Sequence, residues 1–183
     1  NSIQIKGLVD IETQYGAGVF ARTGYISLGG GRIIADAYDS VWTSAGTVDL
    51  NVVKDSEGNI TAGNNDLVIF GGVATATPYY GSGGIINSAF ATENSSMTGA
   101  IYGLGENNVW LQNGATWNQQ AMRGHSWSGG TISVGERESD VDNLYGGDSI
   151  ENAGIINVMN KTKGTTLNNM SGYVNINMFG GAD

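Results

Sequence analysis

The densest chemistry in this chain is a run of acids near its end: Glu136, Glu138, Asp140, Asp142 and Asp148. Hard oxygen donors can hold calcium, and two carboxylates across a groove can cleave a glycosidic bond. Neither spacing is met. "DVDNLYGGD" lacks the positions of an EF-hand loop, the calcium nonapeptide of secreted β-rolls is absent, and "DSEGN" (Asp55 to Asn59) resembles such a loop only loosely. The expectation is a solvated acidic face, with no metal ligands and no cofactor. His125 is the single histidine. Ser126 and Ser128 lie beside it without a Gly-x-Ser-x-Gly elbow, so a surface loop is expected there rather than a nucleophilic triad.

Aromatic side chains offer a second chemistry, sugar stacking on a flat, amphipathic face. Trp42, Tyr79, Tyr80 and Trp127 are the candidate binding residues, the two tyrosines in a loop-like "TPYYGSGG". Trp110 and Trp117 sit in "NNVWLQNGATWNQQ", an amide-rich stretch. Seven residues separate opposite faces of a straight strand, but Asn113–Gly114 supplies a turn between them. A packing role outweighs a sugar platform here. Leu111 and Trp117 are expected inside, with Trp110 turned the other way. Met97, Met122, Met159, Met170 and Met178 are expected to fill gaps in the core.

Composition sets the frame for these residues. The 183 residues include 30 Gly, one Pro and no Cys, and the net charge is −9. So much Gly with so little Pro suits an all-β chain of tight turns, and 40% apolar residues exceed what a disordered chain carries. The acidic field and the lack of a Lys/Arg cluster argue against nucleic acid as a partner. Without Cys there is neither a disulfide framework nor a thiolate zinc site. The first residues, "NSIQIKG", show neither an initiator Met nor a signal pattern, which suggests a processed or excised segment.

Short strand-like runs recur: "LVDIETQ", "GTVDLNVV", "DLVIFGGVA", "GGIINSAFA", "NVWLQ", "AGIINVMN", "YVNINM". Alternation predicts Val48, Leu50 and Val52 inward with Asp49 and Asn51 outward, and likewise Val174, Ile176 and Met178 inward. A hairpin-built sandwich and a parallel β-solenoid both fit. The quasi-repeats "GRII", "GIIN" and "GIIN" at residues 31, 84 and 154 favour the solenoid, whose stacked coils of roughly 20 residues would ladder their Asn side chains.

The later stretches resemble the C-terminal part of the passenger of bacterial autotransporters, of the pertactin-like kind with its autotransporter chaperone segment. Leu111, Asn113, Gly114, Ala115 and Trp117 match a Leu-x-Asn-Gly-Ala-x-Trp element. Ser139, Val141 and Leu144 follow, then Gly154, Ile156, Asn157 and Val158, then Leu167, Met170, Ser171 and Gly172. The likeness covers about residues 107 to 178, with a longer insert between Trp117 and Ser139 than the pattern has. It implies a right-handed parallel β-helix over residues 1–105 and a C-terminal capping portion, 106–183, that assists passenger folding. Leu111, Asn113, Gly114, Ala115, Trp117, Leu144, Gly154 and Ile156 form the structural capping motif. The implied role is adhesion or aggregation outside a Gram-negative cell, not enzymatic. Its partners would be a host or bacterial surface glycan or protein, with self-association through coil ends and an outer-membrane β-barrel in the parent chain. The alternative is a β-helix polysaccharide hydrolase or lyase working through Asp140 and Asp142.

Overall fold

The computed structural model describes residues 1–75, 83–119, 126–127, 130–131, 138–159 and 164–179. Among them every regular element is a β-strand. Short β-branched runs fenced by Gly, Asn and Ser leave little room for anything else.

Two sheets hold most strands. The first orders β1 (Ser2–Ile5), β4 (Tyr25–Leu28), β6 (Thr47–Leu50), β10 (Ile85–Phe90), β13 (Glu106–Leu111), β17 (Ser139–Tyr145) and β19 (Thr165–Ser171). The second orders β2 (Val9–Thr13), β5 (Gly31–Thr43), β9 (Leu67–Thr75), β11 (Ser96–Thr98), β14 (Thr116–Gln119), β18 (Gly154–Val158) and β20 (Val174–Met178). In that sheet β3 (Val19–Ala21) pairs with β5, and β12 (Ile101–Tyr102) with β9. Neighbours in both sheets are parallel. Parallel neighbours cannot be joined by a tight hairpin. Here the chain visits the other sheet between successive main-path strands, so those strands alternate between the two sheets along the sequence, β3 and β12 being additional strands of the second. The expected boundary after residue 105 falls between β12 and β13, and both sheets continue across it.

The core lies between the sheets as rows of aligned side chains. In the second sheet Ile11, Ile33, Ile69, Met97, Trp117, Ile156 and Ile176 are in register from strand to strand. Ile33 through Ile156 are at most 1% exposed, and each large side chain so buried stabilises by about 1.5–3 kcal/mol. The matching row of the first sheet runs Ile5, Leu28, Leu50, Ser88, Val109, Leu144 and Met170.

Asparagine shapes two corners. Asn51 and Asn113 adopt φ of 52° and 54°, a left-handed conformation that Asn tolerates better than other residues with a Cβ. Their side chains donate to Ala89 O and Ala91 O, each at 2.9 Å. Asn51 thereby ends β6, and the predicted alternation stops there. Val48 and Leu50 are core, whereas Val52 starts β7 (Val52–Lys54), which pairs antiparallel with β8 (Ile60–Ala62) as a hairpin outside the two sheets. Asn113–Gly114 is likewise a corner between the sheets: β13 and β14 on either side of it belong to different ones. Gly103 (φ 129°) is forced by proximity, because a Cβ there would lie 1.9 Å from Thr75 O.

The methionines divide. Met97 is core, but Met170 and Met178 are exposed in β19 and β20, over which no further strand lies among the described residues. Met122 lies outside the described residues.

Candidate functional site: a polar outer face and its cleft

On the outer face of the first sheet, alternate residues bring amides into line. Asn87 Nδ2 donates to Asp49 Oδ1 at 2.7 Å, Asn108 Nδ2 to Asn87 Oδ1 at 2.8 Å, and Asn143 Nδ2 to Asn108 Oδ1 at 2.7 Å. Each amide donates one way and accepts from the other, so the dipoles align and end on a carboxylate, an arrangement that strengthens every member. The expected Asn ladder is therefore present, and a second one runs Asn118, Asn157, Asn177 on the second sheet, with bonds of 2.8 and 2.9 Å. Asp49 faces outward as predicted but is only 1% exposed.

Asp49 also forms the floor of a cleft of about 510 Å³ between β4, β6 and the β7–β8 hairpin. Its Oδ2 accepts from Tyr25 OH at 2.7 Å and from Lys54 Nζ at 2.6 Å. Lys54 lies over the Tyr25 ring, 4.8 Å from its centroid. Partial burial draws the Lys54 ammonium down, but the hydrogen bond and charge of Asp49, with Tyr25 behind them, outweigh it and raise its pKa above the ordinary lysine value. Three donors converge on one carboxylate, so the lone pairs of Asp49 are committed to fastening the hairpin to the sheet. Around this anchor, Gln4, Lys6, Ser27 and Asn64 line the cleft beside Ile5 and Val53. Amide, hydroxyl and ammonium groups against a small apolar wall suit a polyhydroxylated ligand.

Aromatic rows flank the polar one. Trp42 in β5 is in register with Phe20 of β3 and Ala74 of β9, and Ala74 with Tyr102 of β12. The rings of Phe20 and Trp42 stack at 4.7 Å, with Phe20 exposed at the edge. Tyr102 OH donates to Asp39 Oδ2 at 2.6 Å. Trp42 thus sits in an outward aromatic row, half covered by its neighbours. Tyr79 and Tyr80 lie outside the described residues. Trp127 falls in β15 (Ser126–Trp127), whose backbone pairs antiparallel with β16 (Gly130–Thr131).

The two central tryptophans part company. Trp117 is fully buried and donates its indole N–H to Gly99 O at 2.9 Å. Trp110 stacks on Tyr145 at 4.7 Å, on the opposite face from the core. Leu111, Ala115, Trp117, Leu144 and Ile156 share one core cluster. Asn113 N–H and Gly114 N–H donate to Asn152 O and Ala153 O at 2.8 and 3.1 Å, and an added Cβ on Gly154 would meet Leu111 O at 2.2 Å. The motif residues therefore meet at one corner, with β19 and β20 stacked beyond it.

The acids do not converge. Asp140 accepts from Asn168 at 2.6 Å, Asp142 from the Asn107 N–H at 2.8 Å, and Asp148 from Asn152 at 2.8 Å. Glu138 is exposed, and Glu136 and His125 lie outside the described residues. No three Asp, Glu or His side chains are gathered as metal ligands among the described residues.

Sequence reasoning missed the cleft because its members are spread over Gln4, Tyr25, Asp49 and Lys54, on strands brought together across connections of unequal length. Only the alternation placing Asp49 outward hinted at it. No protein-family model, curated protein or solved structure matches the chain.

Proposed function

We propose that this chain is a segment of a right-handed parallel β-helix of the autotransporter-passenger kind, displayed outside a Gram-negative cell, where it holds surface glycan or protein without chemical turnover. The observation that carries the reading is the alternation of the main-path strands between two parallel sheets, with amide ladders on their outer faces. Parallel crossovers are right-handed in nearly all proteins, which supports the hand assigned. A stack of rungs exposes long side faces, and the cleft of Asp49, Tyr25 and Lys54 offers polar recognition on one of them. Residues 106–183 are assigned the part of guiding folding during export on the resemblance of their motifs alone, while β19 and β20 continue the sheets beyond the motif. An outer-membrane barrel in the parent chain belongs to the same proposal.

The hydrolase reading is weaker. Asp140 and Asp142 are engaged by Asn168 and the Asn107 N–H rather than set across a groove from each other. The binding reading is tested by immobilising the chain and screening a glycan panel and whole bacterial and host cells. Saturable retention that falls at least tenfold in Lys54→Ala supports it. Retention of nothing, or cleavage of a glycan that Asp140→Asn abolishes, sinks it.

A further inference from the structure

Asn51 and Asn113 share a left-handed backbone but not the residue that follows. Val52 follows the first, and Gly114 the second, in the single Asn-Gly pair of the chain. The difference matters because the next backbone nitrogen is the one that can attack a side-chain amide. A β-branched Val screens its own nitrogen, whereas a Gly leaves it bare. An Asn-Gly pair in a loose chain is therefore prone to lose its side-chain nitrogen as ammonia.

The folded corner imposes that pair and then holds it still. Gln112 to Ala115 form a turn closed by Ala115 N–H to Gln112 O at 3.0 Å, with both central residues at positive φ, 54° for Asn113 and 76° for Gly114. Asn followed by Gly is what such a turn favours. Space does not demand the Gly, since an added Cβ would make only an ordinary contact, 3.8 Å from Glu93 Cβ. Asn113 Nδ2, the nitrogen that would leave, donates to Ala91 O at 2.9 Å. Gly114 N–H, the nitrogen that would attack, donates to Ala153 O at 3.1 Å, and Asn113 N–H to Asn152 O at 2.8 Å. In the left-handed conformation ψ is about +47°, so the Gly114 nitrogen must swing roughly half a turn about the Asn113 Cα–C bond to meet Cγ. The bonds to Ala91 and Ala153 oppose that swing. The corner joins β13 to β14, each paired on both sides, so it sits away from the edge strands of both sheets.

We infer that Asn113 is a deamidation site, closed while the corner is folded and open whenever it unfolds. The Gly114 nitrogen gives up its proton and bonds to Asn113 Cγ, and the bond to Nδ2 breaks, releasing ammonia. Water then opens the ring at either carbonyl and leaves aspartate or isoaspartate, with water consumed and no oxidant or reductant involved. Neither product fits the corner. Aspartate sets a carboxylate oxygen against Ala91 O where an N–H donor stood. Isoaspartate adds a backbone atom to a turn whose N–H groups are fixed to Asn152 O and Ala153 O. Time spent unfolded is thus recorded as chains that cannot rebuild the corner. The binding reading of the cleft plays no part in this.

The test incubates the unaltered chain in mildly alkaline buffer with and without urea, followed by peptide mapping with each site localised by fragment mass. In urea the Asn113 peptide should show the mass gain of deamidation and contain isoaspartate, while the Asn51 peptide stays unchanged. Without urea the gain should be at least about tenfold slower, because reaction waits on local opening of the corner. Chains deamidated in urea and returned to buffer should remain protease-sensitive, and Asn113→Asp should show a lowered urea midpoint or fail to fold. Equal rates with and without urea overturn the protection, and an Asn51 peptide that reacts as fast as that of Asn113 overturns the part given to Gly114. Deamidated chains that regain full protease resistance, or an Asn113→Asp variant as stable as the parent, overturn the claim that the product cannot rebuild the corner. The rate comparison uses the unaltered chain, so it stands even where the variant does not fold.

Discussion

Trp117 and Ile176 occupy the same core row two strands apart, yet one is fully enclosed and the other is half exposed. Trp117 has Met97 on one side and Ile156 on the other, whereas among the described residues Ile176 has a neighbour on one side only. In parallel sheets such as these, a core-row residue's contribution is set less by its type than by whether a paired strand covers it on both sides. Among the described residues the middle strands of the two sheets therefore form a conventional core, and the edge strands carry residues of the same rows that are partly exposed.

The largest expected effect sharpens that contrast. Trp117→Ala should cost about 3–5 kcal/mol, the range for an enclosed aromatic, and also leaves Gly99 O without its indole donor. Ile176→Ala should cost about 1 kcal/mol or less, as for an edge position. Urea unfolding of both variants checks this, and equal losses would break the comparison between middle and end.

The amide ladders offer the same contrast at lower amplitude. Asn108→Ala removes the donor to Asn87 and the acceptor for Asn143, and should cost about 1–3 kcal/mol because buried polar groups are left unpaired. Asn169→Ala, at the open end, should stay within about 0.5 kcal/mol. Thermal unfolding of the pair measures the difference. A ladder that contributes equally along its length would remove the distinction.

The smallest effect concerns the β7–β8 hairpin. The raised pKa of Lys54 means that its contribution is fully present below the ordinary lysine value of about 10.4 and is lost as pH rises through the folded value. Asp55 in the turn is shifted the other way: its side-chain bond with Asn59, then the backbone N–H groups of Asn59, Glu57 and Gly58, hold its carboxyl below the usual range. That contribution is present above about pH 3.9 and is lost as pH falls through the folded value. Protease protection of the hairpin should thus hold between these limits and decline outside them. Lys54→Ala should remove the alkaline decline for about 1 kcal/mol or less, the scale of a partly exposed ion pair. If the decline survives in that variant, Lys54 is not what fastens the hairpin.

Much of the architecture was legible because its signals are local. Alternation at Val48–Leu50 faces the core as read, whereas Ile176 and Met178, expected inward, are 51% and 67% exposed; the division of Trp110 from Trp117 follows from the Asn113–Gly114 corner. What was not legible depends on neighbours in space. Val52 left its row because Asn51 turned left-handed, and Met170 and Met178 are exposed because, among the described residues, no further strand lies over them. The cleft was hidden for a similar reason: nothing in the sequence says that Tyr25, Asp49 and Lys54 meet. Of the aromatic candidates, Trp42 lies in an outward row that includes Phe20, a residue whose part in it only strand register could disclose.

The partners along the first ladder are separated by 38, 21 and 35 residues in sequence, yet their hydrogen bonds are nearly identical. Strand register, not the number of residues in between, sets these contacts. Surplus chain is pushed sideways, as in the β7–β8 hairpin, while the register above and below is untouched. Such a body can gain or exchange lateral loops of very different length without relearning how to fold, which makes it a frame on which new surface specificities can be grafted one loop at a time.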